Sequence, residues 1–307
     1  MKTTKFKLSN LLNSFSILTS LFLSSTVLNS AKAEEAPPTC VSSIGSVSGG
    51  DLKTAAQIAS ADIGACLATP SRFEIDIYEM GLCTANPISG TPKTFSKSNC
   101  IVTMTSPAGV NADLASATVN LPSSSSRPAN GTYDYAYISI GNTIGLKGSI
   151  NLSDGSGGTI EYFSNTTGGV KTTGSAENHD EEIDSFDDSF DPDFGPSNTS
   201  TGAVSAILTD NDLVRATSAE GVTRLVGVFN MATNSGTPVV ISGTSVGLEV
   251  QLQVSDGGYS IMFNQTPGHS DEGKPEDFGS APFKPVFTVF WFRIFYLNLF
   301  NASKLAY

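Results

Sequence analysis

Histidine, tryptophan and positive charge are all scarce in this chain. Only His179 and His269 occur in 307 residues, with a single Trp and 17 Lys/Arg against 29 Asp/Glu. Few histidines means few candidates for the commonest general base and metal ligand. Both lie in acidic stretches flanked by Gly or Pro, which reads as solvated loop. The four cysteines include no C-x-x-C pair and no nearby histidine, so the tetrahedral zinc spacings are missing. No Lys/Arg cluster follows residue 33, and an acidic surface repels phosphate backbones and anionic headgroups. Nucleic acid is therefore excluded as a partner.

A long, purely apolar run is absent too. The uncharged stretch Leu11 to Leu28 contains eight Asn, Ser or Thr residues, too many for a comfortable membrane span. Lys2, Lys5 and Lys7 precede it and Ala31-Lys32-Ala33 closes it, the pattern of a cleavable secretory signal peptide over residues 1–33. The expected address is the periplasm, the cell surface or the extracellular space. Cleavage removes four lysines and no acid, leaving 13 basic against 29 acidic residues and a net charge of −16.

Cys40, Cys66, Cys83 and Cys100 fall within 61 consecutive residues after that site. An even count in an exported chain predicts two disulfides, and sequence-local closure favours Cys40 with Cys66 and Cys83 with Cys100. Each loop of this size stabilises a fold by roughly 3 kcal/mol in the chain-entropy picture.

Charged residues make up only 15% of the chain, while Ser, Thr, Gly and Asn abound. This composition and the period-two alternation predict a mainly β protein, an antiparallel β-sandwich of immunoglobulin-like or jelly-roll-like kind. One or two domains fit the length, with one short N-terminal helix over 51–66. Residues 34–163 form the expected disulfide-containing β domain. Phe73, Ile75 and Ile77 alternate there with Glu74 and Asp76, and Tyr133, Tyr135 and Tyr137 line one face of a strand. Gly141-Asn142 is a turn candidate. Residues 164–201 read as an acidic flexible linker, in which Phe186, Phe190 and Phe194 recur every four residues. A second β domain or second sheet spans 202–267. Its clearest signal is a hairpin, Leu248–Val254 and Tyr259–Phe263 around Ser255-Asp256-Gly257-Gly258. Residues 268–307 form an acidic loop and an aromatic tail, with eight aromatics between Phe283 and Phe300. That tail is a buried strand, a membrane-associating segment over 282–300, or a frameshifted end.

Few constellations carry chemistry. Gly243-Thr244-Ser245-Val246-Gly247 has the G-x-S-x-G spacing of a nucleophile elbow, yet the residues after it alternate as a strand where that elbow needs a helix. Asp184, Asp187, Asp188, Asp191 and Asp193 are a calcium candidate, because Ca²⁺ takes six to eight oxygens, although the order of an EF-hand loop is absent. No other cofactor is implied. Asn130, Asn151, Asn165, Asn198 and Asn301 stand in N-x-[ST] sequons. The first expectation is thus a non-enzymatic exported β protein, a surface, adhesive or filament subunit that self-associates or meets a surface glycan. A secreted carbohydrate-binding module or carboxylate-dependent hydrolase is the alternative, and a membrane-tethered protein is the third.

Overall fold

The computed structural model describes residues 34–35, 40, 64–115 and 127–291, apart from 155, 188, 200, 256, 267, 268 and 271. Its strands in the first half are β1 (Glu34–Glu35), β2 (Ala65–Ala68), β3 (Arg72–Cys83), β4 (Ile88–Ser89), β5 (Thr94–Phe95), β6 (Cys100–Asp113), β7 (Gly131–Tyr133), β8 (Tyr135–Gly141), β9 (Thr143–Lys147), β10 (Ser149–Ser153) and β11 (Thr159–Ser164). The remainder are β12 (Val170–Lys171), β13 (His179–Glu182), β14 (Asp193–Thr199), β15 (Gly202–Thr209), β16 (Arg224–Asn230), β17 (Val239–Ile241), β18 (Ser245–Gln253), β19 (Tyr259–Phe263), β20 (Pro275–Ser280) and β21 (Lys284–Trp291).

The main sheet is organised on β3. Phe73, Ile75 and Ile77 face inward, a register shift at Tyr78 changes the parity, and Met80 and Leu82 then face inward in their turn. One edge of β3 pairs with β6. The other meets β8 and then β9, both antiparallel to it, with Cys83 opposite Tyr135, Ile77 opposite Ile140, Glu74 opposite Gly145 and Arg72 opposite Lys147. The chain therefore does not reverse at Gly141-Asn142. The expected turn is a bend at Asn142 between two strand segments that run in the same direction. On the far side β16 pairs with β8 and β13 with β9, and β15, β14 and β1 continue outward from β16.

A smaller sheet, in the order β2-β19-β20, covers the main one. Cys66, Tyr259, Ile261, Phe263 and Phe278 from it share a core with Phe73, Ile75, Ile77, Leu82, Ile138, Ile140 and Leu146 of the main sheet. The architecture is the expected antiparallel β-sandwich. Each fully buried large side chain in that core contributes about 1.5–3 kcal/mol of transfer free energy. On the outer face of the main sheet, Tyr137, Ile207, Val226 and Val228 are capped by Ile88 and Phe95 of the small β4–β5 hairpin. Cys83–Cys100 closes that flap and Cys40–Cys66 fastens β2 to the chain before it, so both expected pairings are formed. Two disulfides indicate an oxidising compartment.

Three expectations change. Leu248–Val254 and Tyr259–Phe263 do not pair with each other. β18 pairs with β21, whereas β19 lies between β2 and β20. The two strands bury different amounts of surface: Tyr259, Ile261 and Phe263 are core residues, while Leu248, Val250 and Leu252 are half-buried on a separate ribbon. Residues 164–201 are no linker between independent sheets, since β13 and β14 from that segment both join the main sheet. The phenylalanines explain the order there: Phe186 is buried beside Ala206, Leu208 and Val222, and its ring lies 5.4 Å from that of Phe194. Lastly, the expected 51–66 helix ends wrongly, because Ala65–Ala68 is strand β2; residues 51–63 lie outside the described residues.

Candidate functional site

The acidic candidates for calcium are largely engaged within the protein. Asp191 Oδ1 accepts the Asp193 N–H at 2.9 Å, and Asp193 Oδ2 accepts from Arg215 Nη2 at 3.1 Å. Asp188 lies outside the described residues. Among the described residues no three His, Cys, Asp or Glu side chains converge as a metal site would require. Asp184 and Asp187 sit on the surface of the same loop, half-buried.

The G-x-S-x-G serine is a turn residue. Ser245 opens β18, is buried, and its Oγ accepts the Ser242 N–H at 3.0 Å. A strand follows it, so no helix N-terminus is available to build an oxyanion hole. The tyrosine row is divided as well. Asp134 interrupts the strand, so Tyr133 joins the main core while Tyr135 and Tyr137 face the opposite side. Tyr137 lies over Gly81 and donates to Glu79 Oε1 at 2.7 Å. Burial pushes its phenol well above the usual range, with the Glu79 hydrogen bond adding to the shift. None of these rings forms an exposed sugar platform.

The polar group that sequence reasoning passed over is where three sheets meet. His179 and Glu181 alternate inward on β13 while Asp180 and Glu182 point out. Their inward direction follows from the pairing of β13 with β9, which sets His179 opposite Leu146 and Glu181 opposite Ile144. Glu181 Oε2 accepts the Ser280 N–H of β20 at 2.7 Å, joining the rim of the main sheet to the smaller sheet. Burial raises its pKa to about 7; the Ser280 hydrogen bond opposes this and Asp277 adds to it. Asp277 is raised for the same first reason, burial, and then by Glu276. Tyr259, stacked on Phe278 at 5.1 Å and lying across Gly148, has its phenol pushed far up by burial. Glu181 Oε1 is buried without a hydrogen-bond partner among the described residues. Burial lowers the His179 pKa, against the Phe278 carbonyl and Asp180. His179 is therefore a neutral buried ring and not the solvated loop residue its sequence suggested. The legible signal was period two across His179, Glu181 and Ile183, hidden by the charge of the residues between them. His269, by contrast, is exposed in a loop, as expected.

A second feature is the ribbon of β18 and β21. Leu248, Val250, Leu252, Phe283, Phe287 and Val289 pack on the main core. The register places Phe290 opposite Gly247, Thr288 opposite Glu249, Val286 opposite Gln251 and Lys284 opposite Gln253, which form the outer face. The aromatic tail is thus a strand as far as Trp291, half-buried with a mixed outer face and not buried on both sides; residues 292–307 lie outside the described residues. Among the described residues no helix is long and apolar enough to cross a membrane. The ribbon pairs with no other strand among the described residues, and Arg127 Nε donates to the Ser245 carbonyl where β18 begins. Neither family models, nor characterised proteins, nor solved structures match this chain.

Proposed function

We propose that this chain is an exported, disulfide-stapled structural or adhesive subunit that associates with further copies of itself through the β18–β21 ribbon. The observation that carries the reading is a ribbon that no further strand joins among the described residues. Among those residues four large hydrophobic side chains are exposed, and three of them, Val240, Val246 and Phe290, belong to β17, β18 and β21. Monomeric proteins blunt exposed strand edges with charge, proline or a covering loop. Here the outer face of the ribbon offers Lys284 and Glu249 as its only charges, so another acidic copy meets the least repulsion there. Strand addition to an open edge gives affinity through backbone hydrogen bonds and needs no cleft.

Export is supported by the N-terminal pattern of residues 1–33 and by the oxidising compartment that two disulfides imply. The non-enzymatic reading is supported by the placement of the acids. Glu181 is buried at the sheet junction and Asp277 beside it is half-buried, so this pair of acids does not stand in an open cleft that would seat a glycan.

Sedimentation velocity over a wide concentration range tests the proposal with the wild-type protein and a Val286→Lys, Phe290→Lys double variant. Both substitutions lie on the outer face and leave the packed side of the ribbon intact. Wild type associates as concentration rises, and the variant stays monomeric with an unchanged far-ultraviolet spectrum. A wild type that remains monomeric throughout, or a variant that associates equally well, refutes it.

A further inference from the structure

We propose that Glu181 is a proton-controlled clasp that holds the rim strand β13 closed against β20 when its carboxyl is neutral and releases it when the carboxyl ionises. Two buried side chains of β13 reach β20: His179 lies against the Phe278 backbone, and Glu181 makes the hydrogen bond whose strength changes with its own charge. β13 has four residues, His179–Glu182, and pairs on one side only, with β9. Across to the smaller sheet Glu181 Oε2 accepts the Ser280 N–H at 2.7 Å, a buried bond spanning 99 positions of sequence. A four-residue strand at the rim of a sheet is among the weakest parts of any fold, so the charge on its one buried acid weighs heavily on whether it stays docked.

The groups around the carboxyl decide which protonation state fits. From β19 Tyr259 presents a neutral phenol, and from β20 Asp277 presents a second acid. On β13 itself His179 is buried and held neutral. Asp180 points outward to Arg72 of β3, which is shared with Glu74, and Glu177 is paired with Lys171 at the surface. No cation therefore faces Glu181 among these neighbours. A neutral carboxyl keeps the Ser280 N–H bond and buries one unpaired oxygen but no charge. An ionised one is an uncompensated charge beside Asp277, with Oε1 unpartnered, and the fold relieves it by letting β13 separate and water enter. Opening uncovers the outer edge of β9 over Thr143–Leu146, a second unpaired strand edge distinct from the ribbon.

Hydrogen exchange of the whole protein, wild type against Glu181→Gln at the same pH, reads the clasp directly. Comparison at equal pH cancels the intrinsic dependence of exchange on pH. At about pH 8.5 the amides of residues 143–146 and 179–182 exchange at least about tenfold faster in wild type than in the variant, and at about pH 5 the two coincide. Equal rates in the two proteins at the higher pH overturn the proposal, as does fast exchange in both. Carbon-13 titration of the Glu181 carboxyl in the wild-type protein needs no variant: the proposal requires a midpoint at about 7. A midpoint below about 5, the range of a solvated carboxyl, overturns it even if the Gln variant fails to fold.

Discussion

Replacing Glu181 by Gln changes stability in a way that depends on pH, and the size follows from the burial of that carboxyl. Glu181 is raised from 4.5 to about 7 in the folded protein, chiefly by desolvation. The folded state thus binds a proton more tightly than the unfolded chain. Its stabilising contribution is complete below the unfolded value of 4.5, declines as pH rises, and is lost once pH passes about 7. At about 1.4 kcal/mol for each unit, the gap is worth about 3 kcal/mol. His179 works in the opposite sense, because burial lowers its pKa and the folded state binds its proton less tightly just below 6.5. Asp277 is raised and adds to the trend of Glu181. The two trends partly cancel below 6.5 and both are exhausted not far above 7, while the difference between wild type and Glu181→Gln isolates one group. Gln keeps the acceptor for the Ser280 N–H and carries no charge. For a chain of this size about 3 kcal/mol corresponds to about 6–12 °C in Tm. Thermal melts at about pH 5 and about pH 8.5 therefore show nearly equal Tm values at the lower pH and a more stable variant at the higher one. A difference between the two proteins that does not change with pH refutes the reasoning.

Other perturbations have sharper local causes. Removing Cys83–Cys100 by a double Ser substitution costs about 3 kcal/mol in urea denaturation, since it frees a loop of 17 residues and loosens the flap over Tyr137; an unchanged midpoint contradicts this. Gly81→Ala drives a methyl group against the Tyr137 ring and to 2.8 Å from the Ile101 carbonyl, so it destabilises by about 1–3 kcal/mol in the same assay. Phe186→Ala opens a hole beside Leu208 and Val222 and costs about 3 kcal/mol, with proteolysis then appearing within 183–194; resistance equal to wild type there shows that the acidic segment is held some other way.

The sequence disclosed what depends on near neighbours. The disulfide partners were legible because Cys40–Cys66 and Cys83–Cys100 are the local pairings. Pairing across the sandwich was not legible. Ser255-Asp256-Gly257-Gly258 looks like a hairpin turn between two alternating strands, yet β19 finds β2 nearly two hundred residues earlier and β18 finds β21 after β20 has intervened. Local turn chemistry does not specify which layer a strand enters; the difference between the fully apolar inner face of β19 and the half-buried face of β18 does. The buried acid was hidden for the same reason. His179-Asp180-Glu181-Glu182 reads as solvent-loving in composition, and only pairing with β9 turns two of the four side chains inward. The phenylalanines in the acidic stretch carried the opposite message from its charges, and packing followed the phenylalanines.

Negative-stain imaging of the purified wild-type protein shows whether copies assemble through the exposed ribbon. The account predicts copies joined edge to edge with the ribbon at each contact, absent from the Val286→Lys, Phe290→Lys protein. Discrete single particles of wild type at every concentration, indistinguishable from the double variant, contradict it.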